Sequence, residues 1–106
     1  MNKAAELYQA VPKLHNCAQA VVCGFDREDL NEEMKLCGGG KAPGGLCGAL
    51  FGALQLTPEE KYAGIKTEFI RLCQAETCRE IKRAGTPCIE CVKIAASLVE
   101  KAKDQQ

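Results

Sequence analysis

Apolar residues along this chain recur at helical spacing, and no stretch alternates with a period of two long enough to make a strand. The first helix is expected from Lys3 to about Val11, with Leu7, Ala10 and Val11 on its apolar side and Pro12 ending it. Asn16 reads as an N-cap, because its side chain can accept from the amides of the next turn. The helix it opens runs Cys17-Ala18-Gln19-Ala20-Val21-Val22-Cys23, with Gly24 as the terminator. Asp26 to Leu36 is expected as a capped, largely solvent-facing helix that turns Leu30, Met34 and Leu36 inward. A glycine-rich loop, Cys37 to Gly45, then leads into a small-residue apolar helix from Leu46 to Leu56. Cys47 falls in its first turn. Gly48 and Gly52 are four apart, so they share one face on which another helix or a bound group can come close to the backbone.

Thr57-Pro58-Glu59-Glu60 has the form of a helix start, with a Thr cap, Pro at the first helical position and Glu three residues after the cap. The helix that follows is expected to reach Ala84, with Tyr62, Ile65, Phe69, Leu72, Cys73 and Ile81 as its inward stripe. Gly85-Thr86-Pro87 repeats the stop, cap and Pro signal. The last helix is expected from Cys88 to about Lys103, burying Val92, Ala95, Ala96, Val99 and Ala102. The expected fold is therefore all-α: one domain over residues 1–106, a compact bundle of five or six helices with the glycine loop leading into a central buried helix.

Charge narrows the function classes. Basic and acidic residues balance at 14 each, there is no Trp, and the aromatics are two Tyr and three Phe. No basic run or stacking surface points to nucleic acid. The longest apolar stretch, Leu46 to Leu56, falls short of the roughly 20 residues of a membrane span, and the opening residues lack the apolar core of a secretory signal. A cytoplasmic location is expected, with no nucleic-acid or membrane partner.

Eight cysteines in 106 residues change that picture. In a reducing compartment they are expected as redox thiols, metal ligands or small buried hydrophobes rather than as a disulfide framework. Cys17, Cys47 and Cys88 each fall in the first turn of an expected helix, where the helix dipole and unpaired amides favour a thiolate. Cys88-Ile89-Glu90-Cys91 is a CxxC at a helix start, suited to a dithiol couple or to half of a metal site. Cys73 and Cys78 are five apart, about 140° around a continuous helix, so only one of them can face a common site unless the helix breaks. Cys78 is the expected one, because Arg79 beside it favours its thiolate. Cys23 and Cys73 read as packing residues, and Cys37 reads as either packed or reactive. His15, the only histidine, lies two residues before Cys17 and could act as a base or a metal ligand, but is expected to be a partly exposed loop residue. The triple glycine Gly38-Gly39-Gly40 is not a phosphate loop, since no Gly-Lys-Ser/Thr follows it.

These residues resemble a family. Cys47-Gly48-Ala49-Leu50-Phe51-Gly52 matches the CGAxxG motif of the redox-active C_GCAxxG_C_C proteins, which are small, largely helical and mostly prokaryotic. Asn16 to Val21 resembles the first cysteine segment of that family and Gly38-Gly39-Gly40 its glycine loop. Cys78 to Ile81 resembles the third cysteine segment and Cys91 to Ala96 the last. Cys37 stands where the family usually has an aromatic residue, and Cys23, Cys73 and Cys88 are additional.

The resemblance implies redox activity without naming a substrate. Thiol–disulfide exchange or electron transfer would centre on Cys17, Cys47, Cys78 and Cys91 with Cys88 as accessory, and the partner would be a redox protein or a small oxidant or reductant. In a second version the same four cysteines hold an iron–sulfur cluster, with Gly38, Gly39, Gly40 and Gly48 presenting backbone to it. A structural zinc site in an interaction domain is the third version, and cysteines that only pack are the fourth. No Cys-x-x-Cys-His is present for covalent haem.

Overall fold

A computed structural model describes residues 3–10, 14–37 and 41–104. Among these the chain is all-α, with seven α-helices: α1 (Ala4–Gln9), α2 (Cys17–Gly24), α3 (Asn31–Met34), α4 (Gly48–Gln55), α5 (Tyr62–Cys73), α6 (Cys78–Ala84) and α7 (Cys88–Asp104). The expected end of the first helix at Val11 and Pro12, and the glycine triplet Gly38-Gly39-Gly40, lie outside the described residues.

The centre of the bundle is the crossing of α2 and α4, with α7 packed on both. Asn16 starts α2 as the sequence requires. Its side chain accepts from the Gln19 amide at 2.7 Å while the Gln19 side chain accepts from the Asn16 amide at 2.9 Å, a reciprocal cap worth about 1 kcal/mol. The amide nitrogen of the same Asn16 side chain donates to the carbonyls of Met34 and Lys35, which holds the α3 region against the start of α2.

Two glycines let α4 come close to α2. A Cβ on Gly48 would lie 2.6 Å from Cys17 Sγ and 2.7 Å from the Cys37 carbonyl, and one on Gly52 would lie 3.0 Å from the Ala18 carbonyl. The shared glycine face is therefore a packing face. At the far end of α2, a Cβ on Gly24 would meet the backbone of Ala4 at 2.6 Å, so α1 lies directly on it.

The main core gathers Val21, Leu50, Phe69, Val92 and Val99, all fully buried, each contributing about 1.5–3 kcal/mol by leaving water. The α7 stripe is as expected, with Val92, Ala95, Ala96, Val99 and Ala102 all buried. Lys103 Nζ lies 4.9 Å from the Phe25 ring centroid, and Lys61 Nζ donates to the Ala102 carbonyl at 3.0 Å, so the end of α7 is tied down on two sides. No helix among the described residues is long and apolar enough to cross a membrane.

The structure departs from the sequence expectation in four places. The Asp26–Leu36 helix is instead a 3-10 turn over Glu28–Leu30, the short α3, and a second 3-10 turn over Lys35–Cys37. Met34 is buried there, but Leu36 is 74% exposed. The apolar helix opens at Gly48 rather than Leu46, because the Cys47 amide donates to the Glu76 carbonyl at 2.8 Å and Leu46 pairs with Thr77 in an isolated bridge. Thr57 does not cap: its hydroxyl donates back to the Ala53 carbonyl, and α5 begins only at Tyr62 after a 3-10 turn.

The fourth departure is the largest. The expected helix to Ala84 breaks at Gln74, which takes a left-handed conformation (φ 76°), and resumes at Cys78 under a Thr77 cap. Leu72, expected inward, is 42% exposed. Gly85, at φ 86°, ends α6 in the left-handed conformation that glycine adopts without steric cost.

Candidate functional site

All eight cysteines are unbonded thiols, seven of them buried and Cys88 half-buried. Five of them form one connected group. Cys17 opens α2, Cys47 precedes α4, Cys73 closes α5, and Cys88 and Cys91 lie in the first turn of α7. Cys17 is hydrogen-bonded to Cys88, Cys47 to Cys91, and Cys73 to Cys91. The Tyr8 hydroxyl of α1 is hydrogen-bonded to Cys88.

A hydrogen bond donated by the protonated form of a group raises its pKa, and one accepted by the charged form lowers it. Cys17 is pushed far up, first by its hydrogen bonding with Cys88 and then by burial, against the Ala18 amide that pulls it down. Cys47 is also pushed far up, by its hydrogen bonding with Cys91 and by burial, against the Leu50 and Ala49 amides. For Cys91 the bond with Cys47 pulls down. The bond to Cys73, burial and the neighbouring Cys73 and Cys88 thiols outweigh it and push Cys91 up to about 12. Cys73 goes the other way: its bond with Cys91 holds it below the ordinary thiol value despite burial. Burial, then the Cys88 bond, raises Tyr8.

These directions correct one expectation. Cys17 and Cys47 do meet helix-start amides, as their positions require, but in a buried cluster desolvation and thiol–thiol bonding exceed that pull. Burial and the neighbouring thiols thus hold Cys17 and Cys47 as neutral thiols.

Of the sequence-derived site residues, the structure brings Cys17, Cys47, Cys88 and Cys91 together. Gly48 borders the group, its missing side chain leaving room for Cys17 Sγ. Cys78 stands apart. It opens α6 beside a surface depression lined by Gly44, Gly45, Thr77, Arg79 and Lys82, and no thiol–thiol hydrogen bond among the described residues reaches it. Cys73 joins in its place. The physical reason is the break at Gln74, which ends α5 with Cys73 facing the core and restarts α6 in a new direction with its Arg79 exposed. The only trace of this in the sequence was the 140° disagreement between positions 73 and 78, which a broken helix resolves.

Cys23 and Cys37 belong to a second, smaller core with Ala18, Val22 and Met34. Their thiols donate to Asn31 Oδ1 at 3.3 Å and to the Glu33 carbonyl at 3.7 Å. His15 is half-buried, and its Nδ1 has no hydrogen-bond partner among the described residues.

The metal versions can be tested against this donor set. Among the described residues no group of three or more His, Cys, Asp or Glu is placed to hold a metal ion. The arrangement does not fit a four-thiolate zinc or iron–sulfur site. Sulfurs held in hydrogen-bonded pairs are instead suited to exchange of sulfur–sulfur bonds. No protein-family model, curated protein or solved structure matches this chain.

Proposed function

We propose that this chain is a thiol–disulfide redox protein whose reacting group is Cys88 with Cys17. The observation that carries the reading is half-buried Cys88 at the start of α7, with the buried Cys17 thiol as its neighbour. Cys88 is the one of the two that a partner can reach. A thiolate at Cys88 attacks one sulfur of a disulfide, either in a partner protein or in a small oxidant. A mixed disulfide forms, and the other half leaves as a thiolate that takes up a proton.

Cys17 then resolves it. Its sulfur gives up its proton and attacks Cys88 Sγ, forming Cys17–Cys88 and releasing the second half of the substrate. Two electrons and two protons pass to the substrate, and the reverse sequence reduces the protein. Tyr8, donating to Cys88, favours its thiolate and holds its orientation between exchanges.

The test is a titration of fully reduced protein in glutathione buffers of stepped ratio, with free thiols counted at each step. Reversible loss of two thiols at one midpoint, abolished by Cys88→Ser, is the expected result. A Cys88→Ser variant that oxidises like the unaltered chain would overturn it. Metal analysis of protein purified without oxygen gives the second check: stoichiometric iron and sulfide, or zinc, together with unreactive thiols, would replace exchange with a metal centre.

A further inference from the structure

The chain has four arginines, and they divide evenly. Arg27 is clamped by Asp29 through two hydrogen bonds of 3.0 Å, and Arg71 by Glu68 through bonds of 2.8 and 3.2 Å. Arg79 and Arg83, both exposed on α6, make no ion pair among the described residues, and neither does Lys82 beside them. Residues three and four apart share a helix face, so the three cations stand together. Like charges so placed repel, and the sequence puts a carboxylate where it could relieve them. Glu80 lies three before Arg83, the spacing at which Glu68 pairs with Arg71 and Glu90 with Lys93. Glu80 is instead taken by the helix cap, its Oε1 accepting from the Thr77 hydroxyl at 2.7 Å.

All three cations line one depression of about 760 Å³, which the Gly44–Gly45 turn also lines. A Cβ at either glycine would meet nothing within 4 Å, so the space is open down to backbone. The turn and α6 are fixed to each other: the Cys47 amide donates to the Glu76 carbonyl at 2.8 Å, and Leu46 bridges Thr77. The volume is that of a small-molecule site. No aromatic or large apolar side chain lines it, so nothing there stacks on a ring or holds an apolar body. Three cations against the one carboxylate of Glu80 make the lining positive, whereas the whole chain balances 14 against 14. Attraction for an anion is therefore local to this face. An arginine fork takes phosphate or carboxylate oxygens in pairs, and a lysine adds a point charge.

We propose that this depression binds a small, non-aromatic ligand carrying two or more oxyanionic groups, phosphate or carboxylate, through Arg79, Lys82 and Arg83. The site is separate from Cys88 and Cys17 and stands whether or not they exchange disulfides.

Isothermal titration calorimetry of the full chain tests this, with pyrophosphate and citrate as the probes and ionic strength held constant with sodium chloride. At least one probe should bind saturably, one per chain. The double variant Arg79→Gln/Arg83→Gln should weaken that binding at least about tenfold, the usual effect of losing a hydrogen bond to a charged group. Arg27→Gln, which removes a guanidinium already held by Asp29, should change it less than twofold. Binding of pyrophosphate alone assigns phosphate, and binding of citrate alone assigns carboxylate. Failure of both probes to bind overturns the site, as does binding that survives the double variant or that Arg27→Gln weakens equally. Binding of a ten-residue polyglutamate peptide with neither small probe bound also overturns it, and makes the face a docking surface for acidic protein segments.

Discussion

Two groups of cysteines, all of them buried except half-buried Cys88, differ in what surrounds their sulfurs. Cys23 and Cys37, in the smaller core, donate to oxygen atoms of Asn31 and Glu33. Cys17, Cys47, Cys73, Cys88 and Cys91, in the main core, bond to one another. Burial raises the pKa of Cys23 and Cys37 first and a nearby carboxylate second, Glu28 and Glu33 respectively, so each stays a neutral thiol that fills space. In the main group the neighbours of each thiol include other thiols. Under the proposed exchange, the neighbour rather than the degree of burial separates a packing cysteine from a reacting one.

The sharpest way to break this comparison is to remove the accessible sulfur. Cys88→Ser should slow reaction with glutathione disulfide at least 100-fold and leave the denaturation midpoint nearly unchanged, because Cys88 is only half-buried. A slowing of less than threefold would return the main group to the same standing as Cys23.

Next in size is Gly48→Ala. The added methyl meets Cys17 Sγ and the Cys37 carbonyl inside 3 Å, and backbone cannot give way as a side-chain end can. A loss of about 3 kcal/mol is expected from overpacking, read as a lower urea midpoint. Gly64→Ala is the contrast: nothing lies within 4 Å, so the change should stabilise by about 0.5–1 kcal/mol through helix propensity.

Alkaline pH sharpens the comparison from the stability side. Cys91 ionises near 9.0 when unfolded and near 12 in the folded chain. Above pH 9 the unfolded chain releases a proton that the folded chain keeps, so the stability contributed by the neutral thiol is intact below pH 9 and drains away toward pH 12. Cys17 and Cys47 shift in the same direction and add to the fall. The melting temperature should drop steeply from pH 9 to 11, and a flat profile would contradict the assignment.

Tyr8→Phe removes the hydroxyl donor to Cys88. At about 1 kcal/mol for such a bond, alkylation of Cys88 at neutral pH should slow roughly fivefold, with its half-maximal rate moved to higher pH. A merely structural Tyr8 would leave that pH profile in place. Smallest of all, Cys23→Ala should cost about 1 kcal/mol of stability and change the exchange rate by less than twofold.

Local signals were legible and long-range ones were not. The Asn16 cap, the Gly85 stop, the α7 stripe and the close-packing face of Gly48 and Gly52 all depend on residues a turn or two apart, and the structure bears each of them out. The break at Gln74 has no glycine or proline to announce it. It follows from distant pairing, since the Glu76 carbonyl accepts the Cys47 amide and Thr77 bridges Leu46. The Gly85-Thr86 stretch looked like a stop and cap, whereas the Thr86 hydroxyl serves the Cys73 carbonyl thirteen positions away. The thiol set changed for the same reason. Helix-start position could be read for Cys17, Cys47 and Cys88, but the desolvation that dominates their ionisation is a property of the packed core.

The bare backbone at Gly48 also bears on damage. Strong oxidants add oxygen atoms to a thiolate in steps, and beyond the first addition most thiols cannot be recovered. Each added oxygen needs space around the sulfur. Cys17 Sγ lies so near the Gly48 backbone that even one carbon there would collide with it. On that side the sulfur can turn toward another sulfur but cannot take on bulky oxygens. The glycine that lets two helices touch thus also crowds one side of Cys17 Sγ, where added oxygens would find no room.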